Sequence, residues 1–513
     1  MTVLALCTSA AFAIAAPAEP LQKSDSTRLP TLGDTARGDL SPVVERKLGE
    51  EIMRDIRRDR DYLDDEVISE YLNNFGNALV TVVPGARGET NADFQFFAVR
   101  DAALNAFALP GGFIGAHSGL IIAAQTESEL AGVMSHEIGH VSQRHIARML
   151  GQQKQDVLLP LAAMILAALA AKASSDAAMG VLMGGQGLAI QRQLNFSRDA
   201  EREADRVGFQ IMEKGGYDTT GIVAFFRRLQ SASKLYGELP AGLSNLSSHP
   251  LTQERITDMQ ARIREMPKKQ RVDSLDFHLV RARTRVLQDP SEQGRREAKT
   301  AFETQLKEQH RQQQAGAQYG LAYLALRQGD LAGAQSWLDK ARATVKPREG
   351  VFSTASNVGD GASIFASLSL EIKMAQGQPP EVLQQAVQEA EQARQRFPLS
   401  RAIAHQYAEV LVAAGKLDEA ARFLRDQAQQ YREEPKLHDL LAKTYAKQGR
   451  IALQHMALAE SYVLAGALPA AVDQLNLARK AGDVSFYDQA VIDARERELQ
   501  ARQKAEKEEE KER

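Results

Sequence analysis

The spacing of apolar and polar positions divides the chain into a mixed N-terminal half and a helical C-terminal half. Between residues 42 and 83, apolar residues recur every three or four positions, which predicts two helices. Residues 94–99 and 106–109 are short apolar runs, and Pro110-Gly111-Gly112 follows the second run. This order is typical of strands joined by a tight turn. We therefore predict an α+β domain over residues 41–268 that is mostly helical and contains a small β-sheet.

A repeated pattern with a period of about 34 residues marks the C-terminal half. Ala408 and Ala442 are one such period apart, and so are the turn glycines Gly415 and Gly449. In tetratricopeptide repeats, helix pairs with this period stack into an array with a concave surface for partner segments. We predict an all-α tetratricopeptide-like array over residues 275–500. An irregular helical domain with alanine-rich packing is the alternative.

The two ends of the chain differ in composition from both halves. Residues 1–16 are apolar and end in a small-x-small pattern, which predicts a signal peptide. Since no Lys or Arg precedes Lys23, a simple apolar tail is the alternative. Residues 17–40 are rich in Pro, Ser, Thr, Asp and Gly and are expected to form an extended leader. Residues 501–513 form a charged tail.

Residues 157–190 contain two apolar stretches separated by a few charged positions. Each stretch is shorter than the ~20 residues that a membrane-spanning helix requires. A mobile lid, a membrane-surface element with peripheral membrane contact, and a buried helix all fit this pattern, and the buried helix is the commonest of the three.

The overall composition is that of a soluble globular protein with room for two or three domains. The chain is 44% hydrophobic and 25% charged, with a net charge of −3. No basic cluster is interleaved with aromatic residues, so a nucleic-acid partner is not expected. The only cysteine, Cys7, lies in the predicted signal peptide, and the mature chain would therefore contain no disulfide.

A metal-binding motif, His136-Glu137-Ile138-Gly139-His140, lies within a predicted helix. Thr126 and Glu129 form a capping box upstream of it. Two histidines four residues apart share a helix face and can bind one metal ion. Glu137 lies about 100° around the helix from His136, close enough to act as general base on a zinc-bound water. Chance occurrence is the alternative, and the helical context argues against it.

A second motif, Glu201-x-x-x-Asp205, offers the third metal ligand. Metzincins use a later histidine in the first helix, but no histidine occupies that position and His145 is out of register. In the gluzincin pattern the ligand comes from a second helix. Glu201 and Asp205 share a helix face, so Glu201 can bind metal while Asp205 accepts a hydrogen bond from a ligand histidine. Glu203 points to roughly the opposite side.

These motifs together resemble the gluzincin metallopeptidases, the family that includes HtpX and the CAAX prenyl proteases. The resemblance covers residues 41–268. It rests on residues 105–112 (NAFALPGG), 136–140 (HEIGH), 196–205 (FSRDAEREAD), 248–250 (SHP) and Arg255-Ile256.

The resemblance implies one Zn²⁺ per chain, bound by His136, His140 and Glu201, with Glu137 and Asp205 in catalytic roles. In zinc peptidases, the edge of a small sheet can bind substrate as an added strand. Asn105, Gly111 and Gly112 flank such a strand here, although ordinary turn roles explain them equally well.

His249 precedes Pro250, which favours an extended backbone and lets the imidazole project from a loop. In the resembling family a His-Pro follows the glutamate helix at about this distance, which implies a place near the metal. Two roles are open for His249. It could be a fourth zinc ligand that keeps the enzyme latent, or it could donate a hydrogen bond to the oxyanion of the transition state.

A secreted domain of this type followed by helical repeats resembles the periplasmic branch of the family rather than its membrane-embedded members. The resemblance implies a zinc endopeptidase, soluble or peripherally bound to a membrane, that degrades misfolded or stalled outer-membrane proteins and assists their assembly. Its repeats would bind the substrate or the outer-membrane assembly machinery. The alternative is a repeat-based chaperone or scaffold with a mostly latent peptidase domain.

Overall fold

The computed structural model describes residues 40–88, 91–152, 197–235, 249, 253–265, 269, 271–308, 310–346 and 361–512. The N-terminal half is mostly helical. Its helices are α1 Pro42–Arg58, α2 Glu66–Thr81, α3 Ser118–Ala123, α4 Glu127–Ser142, α5 His145–Gln152, α6 Arg198–Lys214, α7 Thr220–Leu235 and α8 Gln253–Glu265.

A small sheet lies between α2 and α3 in the chain and consists of β1 Gln95–Val99, β2 Ala106–Ala108 and β3 Phe113–His117. The strand order is β1-β3-β2, with β1 parallel and β2 antiparallel to β3. Because β3 is central, all five of its residues are buried. The short strand β2 forms one edge of the sheet and packs against α4.

The turn between β2 and β3 explains why two glycines occur in it. Gly111 has a φ of 76° and Gly112 a φ of 97°, values that side-chain-bearing residues rarely adopt. A Cβ on Gly111 would lie 2.7 Å from Cα of Arg46, and a Cβ on Gly112 would lie 2.4 Å from the carbonyl oxygen of Asp93. Both glycines are therefore required by backbone conformation and close packing.

The C-terminal half consists of successive helices. They are α9 Leu275–Gln288, α10 Glu292–Gln305, α11 Arg311–Arg327, α12 Leu331–Val345, α13 Ala362–Met374, α14 Pro380–Arg396, α15 Arg401–Ala413, α16 Leu417–Gln430, α17 Pro435–Lys447, α18 Ile451–Leu464, α19 Leu468–Lys480 and α20 Phe486–Glu512. Gly329, Gly415, Gly449 and Gly466 turn the chain between helices with φ values of 71–79°. The predicted fold class, an α+β domain followed by helical repeats, is confirmed.

Three details of the C-terminal half refine the prediction. The glycine spacing changes after Gly449 because α18 alone, rather than a helix pair, lies between Gly449 and Gly466. Helix α20 continues through the charged residues 501–512, which are therefore helical. The predicted signal peptide (1–16), nearly all of the leader (17–40) and the apolar region 157–190 lie outside the described residues. Within the described residues, no helix is both long and apolar enough to span a membrane.

The first repeats share a hydrophobic core with the N-terminal half. One cluster of buried hydrophobic residues extends from Leu40 in the N-terminal half to Ala402 in the repeats. Helix α9 contributes the fully buried Leu279 and Val280, and it packs against α2 and α3. Hydrophobic spacing identifies the buried face of a helix but not the element that covers it. Among the described residues of the array, separate hydrophobic clusters begin further along it.

A buried arginine joins the two halves electrostatically. The Nη2 atom of Arg283 in α9 lies 2.8 Å from Oδ2 of Asp65 and 2.9 Å from Oε1 of Glu371 in α13. Its Nη1 donates to the Tyr319 hydroxyl at 3.2 Å. Asp65 also caps α2 by accepting a hydrogen bond from the backbone of Ile68. One guanidinium therefore compensates two carboxylates, one from each half.

We expect Arg283→Met to lower the free energy of unfolding by about 3–5 kcal/mol, because it leaves Asp65 and Glu371 without their buried cation. Urea denaturation measures this change. Arg296→Met is the matched control: the Arg296 side chain is 66% exposed and contacts Glu292 and Gln293 of its own helix, so a change within about 0.5 kcal/mol is expected. Equal effects of the two substitutions would contradict the assigned role of Arg283.

Candidate metal centre

The central helix of the site, α4, is buried on every side. Its N-terminus has the predicted capping residues: the Thr126 side chain accepts from the Glu129 backbone at 3.2 Å. Glu129 in turn accepts from the backbone of Gln125 at 2.7 Å. A buried helix depends on such caps because water cannot satisfy its terminal N–H groups. Arg228 from α7 compensates the Glu129 carboxylate at 2.6 Å.

Helix α6 supplies the second set of side chains and approaches α4 very closely. A Cβ added to Gly139 would lie 2.8 Å from the carbonyl oxygen of Ala204 in α6. A Cβ added to Gly208 would lie 3.1 Å from the backbone nitrogen of His136 in α4. The two glycines therefore bring the helix backbones together where their polar side chains meet.

The structure brings His136, His140, Glu201 and His249 together, with one ligand atom of each within 4.8 Å of the others. His136 Nε2 lies 3.0 Å from His140 Nε2, and each of these nitrogens lies 3.4 Å from a Glu201 carboxylate oxygen. His249 Nδ1 lies 2.9 Å from Glu201 Oε1 and 3.4 Å from His136 Nε2. The cluster combines side chains of α4 and α6 with that of His249.

These separations fit one tetrahedral metal ion. Four ligands at 2.0–2.1 Å from a zinc ion lie roughly 3.3 Å from one another. Five of the six residue pairs have ligand atoms 2.9–3.4 Å apart, counting both oxygens of Glu201, and one ligand atom of each residue lies within 4.8 Å of the others. Three imidazoles and one carboxylate are also ligands that zinc accepts. The residues present therefore fit the metal that the motif predicts.

Asp205 and Arg255 support this cluster from behind. Asp205 Oδ1 lies 2.9 Å from His136 Nδ1. Arg255 donates two hydrogen bonds to Asp205, at 2.8 and 2.9 Å, and its Nη1 lies 2.6 Å from Glu201 Oε2. Because an ionised carboxylate only accepts hydrogen bonds, Asp205 holds the proton of His136 on Nδ1 and leaves Nε2 free to face the cluster.

Burial and mutual contacts shift the pKa values of His136, His140 and Glu201 strongly when no metal is bound. Burial alone would lower the pKa of His136, but hydrogen bonds with Asp205 and Glu201 raise it to about 10. Burial lowers the pKa of His140 well below its usual value. For Glu201, burial acts upward, yet the surrounding imidazoles, His249 first, hold its pKa below the usual range. A metal must therefore compete with a proton for His136.

Glu137 lies beside the cluster and is buried. Its Oε1 is 3.6 Å from His249 Nε2, and its Oε2 has no hydrogen-bond partner among the described residues. Burial raises the pKa of Glu137, while His249 and His136 oppose that shift without cancelling it. A carboxylate with a raised pKa and a free oxygen suits proton transfer.

Sequence reasoning missed two residues behind His140. His145 Nδ1 lies 2.9 Å from His140 Nδ1, and His145 Nε2 lies 3.1 Å from Glu203 Oε2. Hydrogen bonding with His145, together with Arg148, lowers the pKa of Glu203 to about 2 although burial opposes this. The prediction that His145 is out of register with His136 and His140 assumes that α4 continues as far as His145. Helix α4 ends at Ser142, so that assumption does not hold. As predicted, the Glu203 side chain points away from the metal cluster, and it contacts His145.

The predicted substrate-strand residues lie around β2 rather than in the metal cluster. Asn105 directly precedes β2 and is buried, and its carbonyl accepts from the His117 backbone at 3.0 Å. The side-chain Nδ2 of Asn105 has no hydrogen-bond partner in the described part of the chain. Gly111 and Gly112 form the turn after β2. Contact of these residues with a substrate stays a prediction.

A mostly helical α+β domain with this cluster on two packed helices defines a metallopeptidase domain. Residues 71–263 match the model of peptidase family M48, which supports a metallopeptidase domain in this part of the chain. Residues 375–444 match a tetratricopeptide repeat model. The family resemblance stated from the motifs is confirmed.

Several known proteins are similar in sequence to one or both halves of the chain. A putative beta-barrel assembly-enhancing protease of Vibrio cholerae is 39% identical over 55% of this chain and 56% of its own length. The beta-barrel assembly-enhancing protease of Escherichia coli K12 is 29% identical over 93% of this chain and 92% of its own length. Metalloprotease YcaL of Escherichia coli K12 is 31% identical over 34% of this chain and 63% of its own length. The similarity to the second relative spans both halves.

Proposed function

We propose that this protein is a zinc-dependent endopeptidase that acts on outer-membrane proteins during their assembly. The observation that carries the proposal is the buried cluster of His136, His140, Glu201 and His249 beside Glu137. The match of residues 71–263 to the model of peptidase family M48 supports the reaction class. We assign one zinc ion per chain to His136, His140 and Glu201.

Each side chain in the site has a task that its environment supports. Zinc held there would polarise the carbonyl of the scissile peptide bond and lower the pKa of water. Glu137 accepts a proton as general base, because burial raises its pKa and one of its oxygens has no hydrogen bond in the described structure. Asp205 orients His136 through Nδ1. Arg255 forms ion pairs with the Asp205 and Glu201 carboxylates and so compensates their negative charge.

Substrate binding is assigned to the edge strand β2, which packs against α4. An unfolded polypeptide can add to the edge strand of a sheet through its main chain and with little demand on sequence. Asn105 precedes this strand, and Gly111 and Gly112 fix the turn that ends it. This mode of binding suits a protease whose substrates share an unfolded state rather than a sequence.

The substrates and partners are proposed from the relatives. The names of the Vibrio cholerae and Escherichia coli relatives describe proteases that enhance beta-barrel assembly. We therefore propose that misfolded or stalled outer-membrane barrel proteins are cleaved, and that the repeats bind these substrates or the assembly machinery. The predicted signal peptide supports a periplasmic location, in which such substrates are met before they enter the membrane.

Glu137→Gln tests the proteolytic function. The amide preserves shape but cannot accept the proton, so we expect unchanged zinc content and a cleavage rate lowered by roughly 10²–10⁴. The assay incubates the purified protein with an unfolded outer-membrane barrel protein and follows fragments. Glu254→Gln, which alters an exposed carboxylate paired with Arg202, serves as the control and should cleave like wild type. A cellular function that survives Glu137→Gln would instead support a chaperone or scaffold.

We further propose that His249 is a fourth zinc ligand that keeps the peptidase latent. The Nδ1 atom of His249 lies 2.9 Å from Glu201 Oε1 and 3.4 Å from His136 Nε2, close to the separation of two ligands of one zinc ion. This position supports a role as zinc ligand rather than as oxyanion donor. A zinc ion with four protein ligands has no open position, and a loop residue can leave and return without refolding a helix. Such restraint suits a protease that works among many unfolded proteins.

His249→Ala distinguishes the two roles, because they predict opposite changes in the cleavage rate. Loss of a blocking ligand should raise the cleavage rate of an unfolded substrate, because the fourth position opens while three ligands remain. Loss of an oxyanion donor should instead lower kcat by roughly 10²–10³. The two rates are compared at equal zinc content. Unchanged cleavage would exclude both roles for His249.

A further inference from the structure

The residues behind His140 form a buried hydrogen-bond chain. Helix α5 begins with His145, directly after Arg144, which has a φ of 52°. Arg144 anchors this turn by donating to Glu45 at 3.1 Å and to the Leu40 carbonyl at 2.7 Å. The anchored turn brings the His145 imidazole back against His140, and both rings are buried. The contact is therefore built into the fold.

The far end of the chain fixes the direction of its hydrogen bonds. Arg148 Nη2 lies 2.7 Å from Glu203 Oε2, the same oxygen that lies 3.1 Å from His145 Nε2. A carboxylate paired with arginine only accepts hydrogen bonds, so the proton of a neutral His145 sits on Nε2. Its Nδ1 is then an acceptor. The reverse tautomer would place a nitrogen lone pair against the carboxylate.

The tautomer of His140 follows from that of His145. Its Nδ1 lies 2.9 Å from the acceptor Nδ1 of His145, so His140 Nδ1 carries the proton and donates it. The lone pair of His140 is consequently on Nε2, the atom that lies 3.0 Å from His136 Nε2 in the metal cluster. A neutral imidazole in this tautomer is a competent metal ligand.

We propose that His145 and Glu203 are positioning residues that hold His140 in its metal-binding tautomer and orientation. The proposal rests on the zinc site of the proposed function. Each of the two ligand histidines of α4 is then held by a carboxylate that is paired with an arginine. His136 contacts Asp205, which pairs with Arg255. His140 is linked through His145 to Glu203, which pairs with Arg148 of α5. Mutation of such supporting residues typically weakens metal affinity 10–100-fold.

Zinc affinity of purified variants, measured by competition with a chromogenic chelator, tests the proposal without any substrate. His145→Phe keeps ring size but removes both hydrogen bonds, and we expect the zinc Kd to rise 10–100-fold. His145→Asn keeps an acceptor near the position of Nδ1, so it should recover most of that loss. Glu203→Ala removes the carboxylate that orients His145 and should raise Kd in the same direction.

A matched control separates positioning from folding. His278 is another buried histidine, in α9 and outside the metal cluster, so His278→Phe should keep the wild-type zinc Kd. The melting temperature of each metal-free protein is measured in parallel. A positioning role predicts that His145→Phe loses zinc affinity at a nearly unchanged metal-free melting temperature.

Three results would overturn the proposal. The first is a wild-type zinc Kd in His145→Phe, and the second is an equal loss of affinity in His145→Asn. The third is a comparable loss in His278→Phe, which would indicate a general effect of replacing buried histidines. A wild-type protein that binds zinc tightly but cleaves no substrate would refute the proposed function and leave this inference intact.

Discussion

The close approach of α4 and α6 is the constraint on which the metal centre depends. Gly139 and Gly208 face the opposite helix at distances where a Cβ would meet backbone atoms. A larger residue at either position would push the helices apart by moving backbone, since no flexible side chain is available to yield at these contacts. The separation of His136 and His140 from Glu201 would then increase. The glycine within the metal motif is thus part of the site's geometry.

The second constraint is charge, because the helix contact buries several ionisable groups together. Glu137, Glu201 and Asp205 are all buried within this site. Burial costs each carboxylate several kcal/mol of hydration free energy, which a paired cation can offset. Arg255 compensates Glu201 and Asp205 together. Glu137 has no such arginine partner among the described contacts, and burial raises its pKa. A divalent cation between the imidazoles and Glu201 would supply the remaining positive charge, so the electrostatics and the ligand geometry favour the same occupant.

Sequence spacing predicted the parts of this site that lie within one helix. The pairs His136 with His140 and Glu201 with Asp205 follow from helical periodicity, and the cap at Thr126 follows from local chemistry. His145 could not be found in this way, because no Gly or Pro indicates that α4 ends at Ser142 and that the chain turns at Arg144. The shared core was missed for a similar reason: periodicity showed that α9 has an apolar face, but not that α2 and α3 cover it. Local patterns predict elements, whereas contacts between elements depend on the tertiary fold.

The metal centre is tested most directly by locating the metal in crystals of the zinc-loaded protein by anomalous scattering at the zinc edge. We expect one peak per chain, about 2.0–2.2 Å from His136 Nε2, His140 Nε2 and a carboxylate oxygen of Glu201. A peak elsewhere, or none between α4 and α6 in a protein that contains stoichiometric zinc, would contradict this expectation.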